Sequence, residues 1–156
     1  MTELHPTTAR LSTRLEALGL EVELRQLPES SRTAREAAAA CGCELGQIVK
    51  SLVFSSADGP LLVLCAGDRR VDTAGLGEAV SMAPPAEVRE LTGFAIGGVP
   101  PLGHDRPMPT LVDGSLRRFA TVWCAAGTPS SVFEISTEQL IEATGGDVRD
   151  LGLPAS

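Results

Sequence analysis

Gln47 to Phe54 reads QIVKSLVF, and the fold follows from how this stretch is taken. Ile48, Val49, Leu52, Val53 and Phe54 are β-branched, aliphatic or aromatic, which suits a pleated surface, so the stretch is expected to be a buried strand. Side chains alternate along a strand, so Ile48, Lys50, Leu52 and Phe54 share one face. Lys50 then stands in an apolar row. It is the only lysine of the chain, and the other twelve basic residues are arginines. Two readings stay open at this point. Lys50 is either an edge-strand lysine that blocks aggregation with its stem packed and its head in water, or an ammonium kept for a site where a guanidinium would not fit.

Working outward, Ala57-Asp58-Gly59-Pro60 is a turn signal and Leu61 to Ala66 is the return strand, so residues 47–66 form a hairpin. Upstream, residues 8–18 carry Leu11, Leu15 and Leu18 at helical spacing. Glu21 to Leu27 alternates like a strand. Ser30 to Gly42 reads as a second helix, with Thr33 and Glu36 as a capping box and Gly42 as the stop. Downstream, Asp72 to Val80 is expected to be a short helix and Pro85 to Thr92 a clearer one. Thr110 to Asp113, Phe119 to Ala125 and Val132 to Ile135 read as strands. A last helix runs from Ser136 or Thr137 through Ala143, and the tail from Asp147 is a short extension. Helices and hairpins mix without a repeating βαβ unit, which predicts an α+β fold, with one domain over residues 1–156.

The net charge of −7 argues against a broad nucleic-acid surface, DNA included, though not against a local contact to a nucleic-acid end. Arginines cluster at Arg32 and Arg35, Arg69 and Arg70, and Arg117 and Arg118; each pair is either a phosphate contact or solvated surface. No apolar run is long enough to span a membrane, and the N-terminal residues lack an apolar signal region, so a cytoplasmic protein is expected. Cys41, Cys43, Cys65 and Cys124 are expected to be reduced. With His5 and His104 isolated, the cysteines lack the spacing of a metal site, so no metal is expected.

Gly97 to Pro109 reads GGVPPLGHDRPMP, and seven of its thirteen residues are Gly or Pro. It is neither a helix nor a central strand. Paired glycines let a backbone approach a ligand and turn N–H groups toward it; an ordinary tight loop is the alternative. No phosphate-loop or serine-hydrolase pattern accompanies it.

Taken together, IVKSLVF, GGVPPLG, MPTLVD, FATVW and AAG, in this order and over about residues 18–151, resemble the YbaK/ProX family. These are free-standing aminoacyl-tRNA deacylases related to the editing domain inserted in bacterial prolyl-tRNA synthetases. The resemblance implies a mixed, partly barrel-like β-sheet flanked by helices. It implies hydrolysis of the ester between a wrong amino acid, of Cys, Ala or Ser type, and a tRNA such as tRNA-Pro, without cofactor. The partners it implies are the 3′ end of aminoacyl-tRNA and a synthetase. By position it puts the functional lysine on Lys50 and the substrate loop on Gly97, Gly98, Val99, Pro100, Pro101 and Gly103. It adds Asp113 after that loop and, on the turn after FATVW, Gly127, Ser130 and Ser131. Relatives often carry a charged residue or histidine near that turn, where this chain has TPSSV. That departure bears on substrate and on activity, and a non-catalytic module that binds a tRNA end or a synthetase is the alternative.

Overall fold

The structure, a computed structural model, describes residues 5–28, 30–31, 33–77 and 79–154. Helix α1 spans Pro6–Ala17; Pro6 opens it and His5 Nδ1 accepts from the Thr7 N–H at 3.1 Å. Leu11 and Leu15, one turn apart, are its buried face. Strand β1 is only Leu24–Gln26, shorter than the alternation of residues 21–27 suggests. Helix α2 spans Ala34–Cys41, later than the expected start at Ser30. The capping box decides its first turn: Thr33 Oγ1 accepts from the Glu36 N–H and Glu36 Oε1 accepts from the Thr33 N–H, each at 3.1 Å. Of the residues in that expected first turn, Arg32 lies outside the described residues.

The hairpin is present as β2, Ile48–Ser56, and β3, Gly59–Ala66, paired from Val49↔Ala66 to Ser56↔Gly59. A short strand β4, Arg69–Val71, follows. The described residues of the helix expected over 72–80, Glu78 not being among them, form no α-helix. Thr73–Leu76 makes a single 3₁₀ turn with no side-chain cap, and Ser81–Met82 is strand β5. Two glycines within five residues and an uncapped start are too weak for an α-helix at this length. Helix α3 is Pro85–Thr92, as expected. Strand β6 is Thr110–Asp113, β7 Thr121–Ala125 and β8 Ser131–Ser136. Helix α4, Thr137–Thr144, is capped by Ser136. The tail is more than an extension: Asp147–Arg149 is β9, parallel to β6, and Gly152–Pro154 is β10, antiparallel to β4. Three-residue strands carry too little pattern to be read locally; a distant partner selects them.

The main sheet runs β1-β8-β7-β2-β3-β6-β9, with β5 also paired to β2; the β2/β7, β3/β6 and β6/β9 pairs are parallel. This is the mixed α+β sheet flanked by helices that the sequence implies. The main core lies on one face, where Val49, Val53, Leu62 and Leu64 meet Leu11 and Leu15 of α1, Val88 of α3 and Leu140 of α4. On the other face Ile48, Trp123 and Val132 pack under Ala37 and Ala38 of α2. Further along that face Phe54, Val63, Leu111 and Leu151 form a third cluster, joined by Leu52. Lys50 falls between these two smaller clusters.

Strand β2 is not an edge strand, yet one of its edges is partly open. Strand β7 pairs with it only at Ile48 and Val49, and β5 only at Phe54 and Ser55. Lys50 to Val53 have no strand beside them on that side among the described residues.

Candidate active site

A cavity of about 340 Å³ fills this opening, a size typical of small-molecule sites. Its walls come from both sides of β2. Thr33, Ala34 and Ala37 of α2 line it with Trp123 and Val132, and Val49, Val53, Val88 and Val99 line it from the main-core side. The alanines of α2 leave room where larger side chains would close the space. Met82 and Ile96, 56% and 49% exposed, stand at its rim.

Lys50 lines this cavity. Its Nζ donates to the carbonyl of Arg69 at the start of β4, so the amine is tethered to the separate β4–β10 pair while its stem lines the cavity. Ser51 lines the cavity too, and its Oγ is buried with no hydrogen-bond partner among the described residues.

The Gly97 loop supplies the opposite rim. Ala95 to Gly98 make a tight turn closed by Gly98 N–H donating to Ala95 O at 2.9 Å. Gly97 takes φ +89° at its third position, a conformation that favours glycine. Gly98 is required for a different reason. A Cβ there would lie 2.7 Å from Gly127 O and 2.8 Å from Thr128 Cα, so only a glycine lets the loop touch the 127–131 turn. The Gly98 N–H is spent on its turn, whereas those of Gly97 and Val99 have no partner among the described residues. Val99, Pro100, Pro101 and Leu102 are buried and anchor the loop. His104 Nε2 donates to Pro100 O at 2.6 Å, and burial holds its imidazole below the ordinary histidine range.

The remaining sequence candidates lie away from this cavity. Asp113 is fully buried and accepts from Ser115 N and Oγ at 3.1 and 2.5 Å, which caps the 3₁₀ turn Gly114–Arg118. Gly103 packs beneath α1, its carbonyl accepting from Arg14 at 2.8 Å. Ser130 and Ser131 tie the turn to β1: Gln26 Nε2 donates to Ser130 Oγ at 3.0 Å and Ser131 Oγ donates to Gln26 Oε1 at 2.9 Å. Gly127 N–H donates to Gly98 O at 3.0 Å. The structure thus brings Lys50, Gly97 and Val99 around one cavity, places Gly98 and Gly127 just behind its rim, and leaves Asp113 and Gly103 in supporting positions.

Burial pushes the Cys65 thiol up to about 11, and burial with the neighbouring Cys43 pushes Cys41 to about 11. Neither is a thiolate near neutral pH, which disfavours a cysteine nucleophile.

Residues 28–143 match the aminoacyl-tRNA editing domain family. The chain belongs to this family. Among solved structures, this editing domain is similar to a candidate trans-editing enzyme for prolyl-tRNA synthetase, with 46% identity and a TM-score of 0.93, over 97% of this chain and 99% of that one. It is 36% identical over 127 residues to the uncharacterised protein YwhH of Bacillus subtilis, spanning 78% of this chain and 81% of that one. A candidate Cys-tRNA(Pro)/Cys-tRNA(Cys) deacylase, EbsC of Enterococcus faecalis, is 25% identical over 129 residues, 79% of each chain. The proline–tRNA ligase of Thermosipho melanesiensis is 39% identical over 88 residues, which are 53% of this chain and 15% of the ligase. The YbaK-like resemblance of the sequence therefore holds.

Several cavity residues of the editing domain were not singled out by sequence reasoning: Thr33, Ala37, Ser51, Met82, Trp123 and Pro129. Thr33 and Ala37, one turn apart on a small-residue helix face, were the available signal. Nothing local marks Met82 or Pro129, which reach the cavity only through the sheet.

Proposed function

We propose that the chain is a trans-editing hydrolase of the cytoplasm, one domain over residues 1–156, that removes a small, wrongly attached amino acid of Cys, Ala or Ser type from a tRNA such as tRNA-Pro. The observation that carries this reading is the small cavity at the open edge of β2, with Lys50 on one wall and the Gly97 turn on its rim. A synthetase pocket separates acyl groups by only about 1–3 kcal/mol per methylene, so a second, smaller pocket has an error to correct.

In the proposed step, water attacks the ester carbonyl carbon and the bond to the ribose oxygen breaks. The ribose leaves as its hydroxyl, taking a proton, and the amino acid leaves as its acid. The ester is already activated, so the protein's task is to position it and to meet the charge on the carbonyl oxygen. The free N–H groups of Gly97 and Val99 suit that role; elsewhere, loss of one such donor costs about 10²–10³ in rate. Lys50 would hold the ribose of the tRNA end, or help at the carbonyl, on release from Arg69. No metal or cofactor enters the step, and a synthetase is the expected partner in delivering the substrate.

The tethering of Lys50 Nζ to Arg69 favours one other reading, a module that binds a tRNA end without hydrolysis. Incubating the purified protein with a panel of mischarged tRNAs decides between them. Release of a small amino acid from at least one tRNA supports the hydrolase. Binding without release across the whole panel supports the module.

A further inference from the structure

Pro129 lines two cavities. The second, of about 440 Å³, has walls that include His5, Gln26, Arg89, Phe94, Thr128 and Ser130. The contact of Gly98 with Gly127 stands behind the rim of the first cavity, and Gly127 also lines the second.

The two differ in chemistry. The first is walled mostly by aliphatic and aromatic side chains, with Lys50 as the one charged group among its described lining residues. The second is polar and carries Arg89 and His5, with no carboxylate among its described lining residues. Arg89 is exposed and makes no ion pair among the described residues. A second guanidinium, that of Arg10, contacts two of the lining residues, Phe94 and Gly93. Arg10 lies 5.3 Å from the centroid of the Phe94 ring and donates to Gly93 O at 2.9 Å. The backbone N–H groups of Thr128 and Ser130 have no partner among the described residues. Cationic and N–H donors are what a phosphate requires, and the carboxylate beside Gly93, that of Asp105, is already paired with Arg14.

We propose that this second cavity is a subsite for a phosphate-bearing nucleotide, the anionic end of the ester whose acyl group enters the first cavity. The assignment of the acyl end rests on the deacylase reading above. The ester joins a short acyl chain to a polyanion, and the first cavity suits only the acyl end, because its walls are mostly apolar and its one described cation, Lys50, is held on Arg69 O. Two unlike cavities meeting at Pro129 solve this. The ester bond then lies at the shared wall, beside Gly97, where a Cβ would stand 3.6 Å from Pro129 Cγ.

The test uses uncharged tRNA and a cytidyl-cytidyl-adenosine trinucleotide, neither of which requires hydrolysis. On titration with the trinucleotide, the amide signals of Ala95, Thr128 and Ser130 and the Gln26 side-chain amide are expected to shift. Affinity for uncharged tRNA should fall at least tenfold in Arg89→Glu and much less in Arg89→Lys, with melting curves unchanged. The slope of log affinity against log salt should shrink by about 0.7–0.9, as expected for one lost phosphate contact. Shifts confined to the first cavity or to Arg69 and Arg70, or an Arg89→Glu protein with unchanged affinity, overturn the subsite. A chain that binds through Arg89 yet leaves every charged tRNA intact keeps the subsite and overturns the deacylase. One that deacylates normally with Arg89→Glu does the reverse. One that neither binds nor hydrolyses overturns both.

Discussion

Along one edge β2 pairs with β3 without interruption from Val49 to Ser56; along the other it is met by β7 at Ile48 and Val49 and by β5 at Phe54 and Ser55, with no strand between among the described residues. The closed edge joins the hairpin that carries the core, where Leu62, Val63 and Leu64 are completely buried. The open edge faces the cavity and holds Lys50 and Ser51. One strand therefore does two jobs. Its paired edge satisfies backbone groups and buries side chains, which is where stability comes from. Its unpaired edge leaves space within the fold without exposing a long strand edge to other chains.

The largest expected effect comes from breaking the closed side. Leu64→Ala removes a fully buried side chain of the main core and should cost about 2–5 kcal/mol in urea unfolding. Leu52→Ala, partly exposed beside the opening, should cost less than half as much. Equal losses would mean that the two edges contribute alike.

Next is Gly98→Ala. Its Cβ would strike the backbone of Gly127 and Thr128, so the loop and turn must separate. Stability should fall by about 1–3 kcal/mol, and deacylation by more than tenfold. Gly97→Ala meets only an ordinary contact with Pro129 but has a positive φ, so a smaller stability loss of roughly 1 kcal/mol is expected, again with a loss of activity. Wild-type rates in both variants would make the loop a connector only.

Lys50 sharpens the comparison because its effects should separate. Lys50→Ala removes one charged hydrogen bond, to Arg69 O, and should cost about 1–2 kcal/mol, while most deacylation is lost. Lys50→Arg keeps the charge but replaces a compact ammonium with a planar fork. Its melting curve should stay near wild type and its rate on a mischarged tRNA should fall. A fully active Lys50→Arg protein returns Lys50 to the role of a strand lysine.

The smallest effect is expected at Ser51. Its Oγ is buried and unpartnered among the described residues, so Ser51→Ala should leave stability within about 0.5 kcal/mol or raise it slightly. A loss above about 1 kcal/mol in thermal unfolding would show that the hydroxyl is bonded in solution, and that the open edge is hydrated.

Much of this was legible before any coordinates. The Thr33–Glu36 capping box, the Pro85 start of α3, the hairpin turn and the irregular Gly97–Pro109 stretch are rules that act over about four residues, so the amino-acid order determines them. The order of its motifs also marked the family, and composition alone set Lys50 apart. Tertiary structure decided the rest. Strands β5, β9 and β10 are two or three residues long and exist because partners distant in sequence lie beside them. The cavity is the gap left where β7 and β5 each stop along β2, and α2, Trp123 and Pro129 reach it from separate parts of the chain. Local sequence cannot state where two neighbouring strands end relative to each other. That register is set by burial across the whole sheet, and it is what turned one lysine in an apolar row into the wall of a cavity.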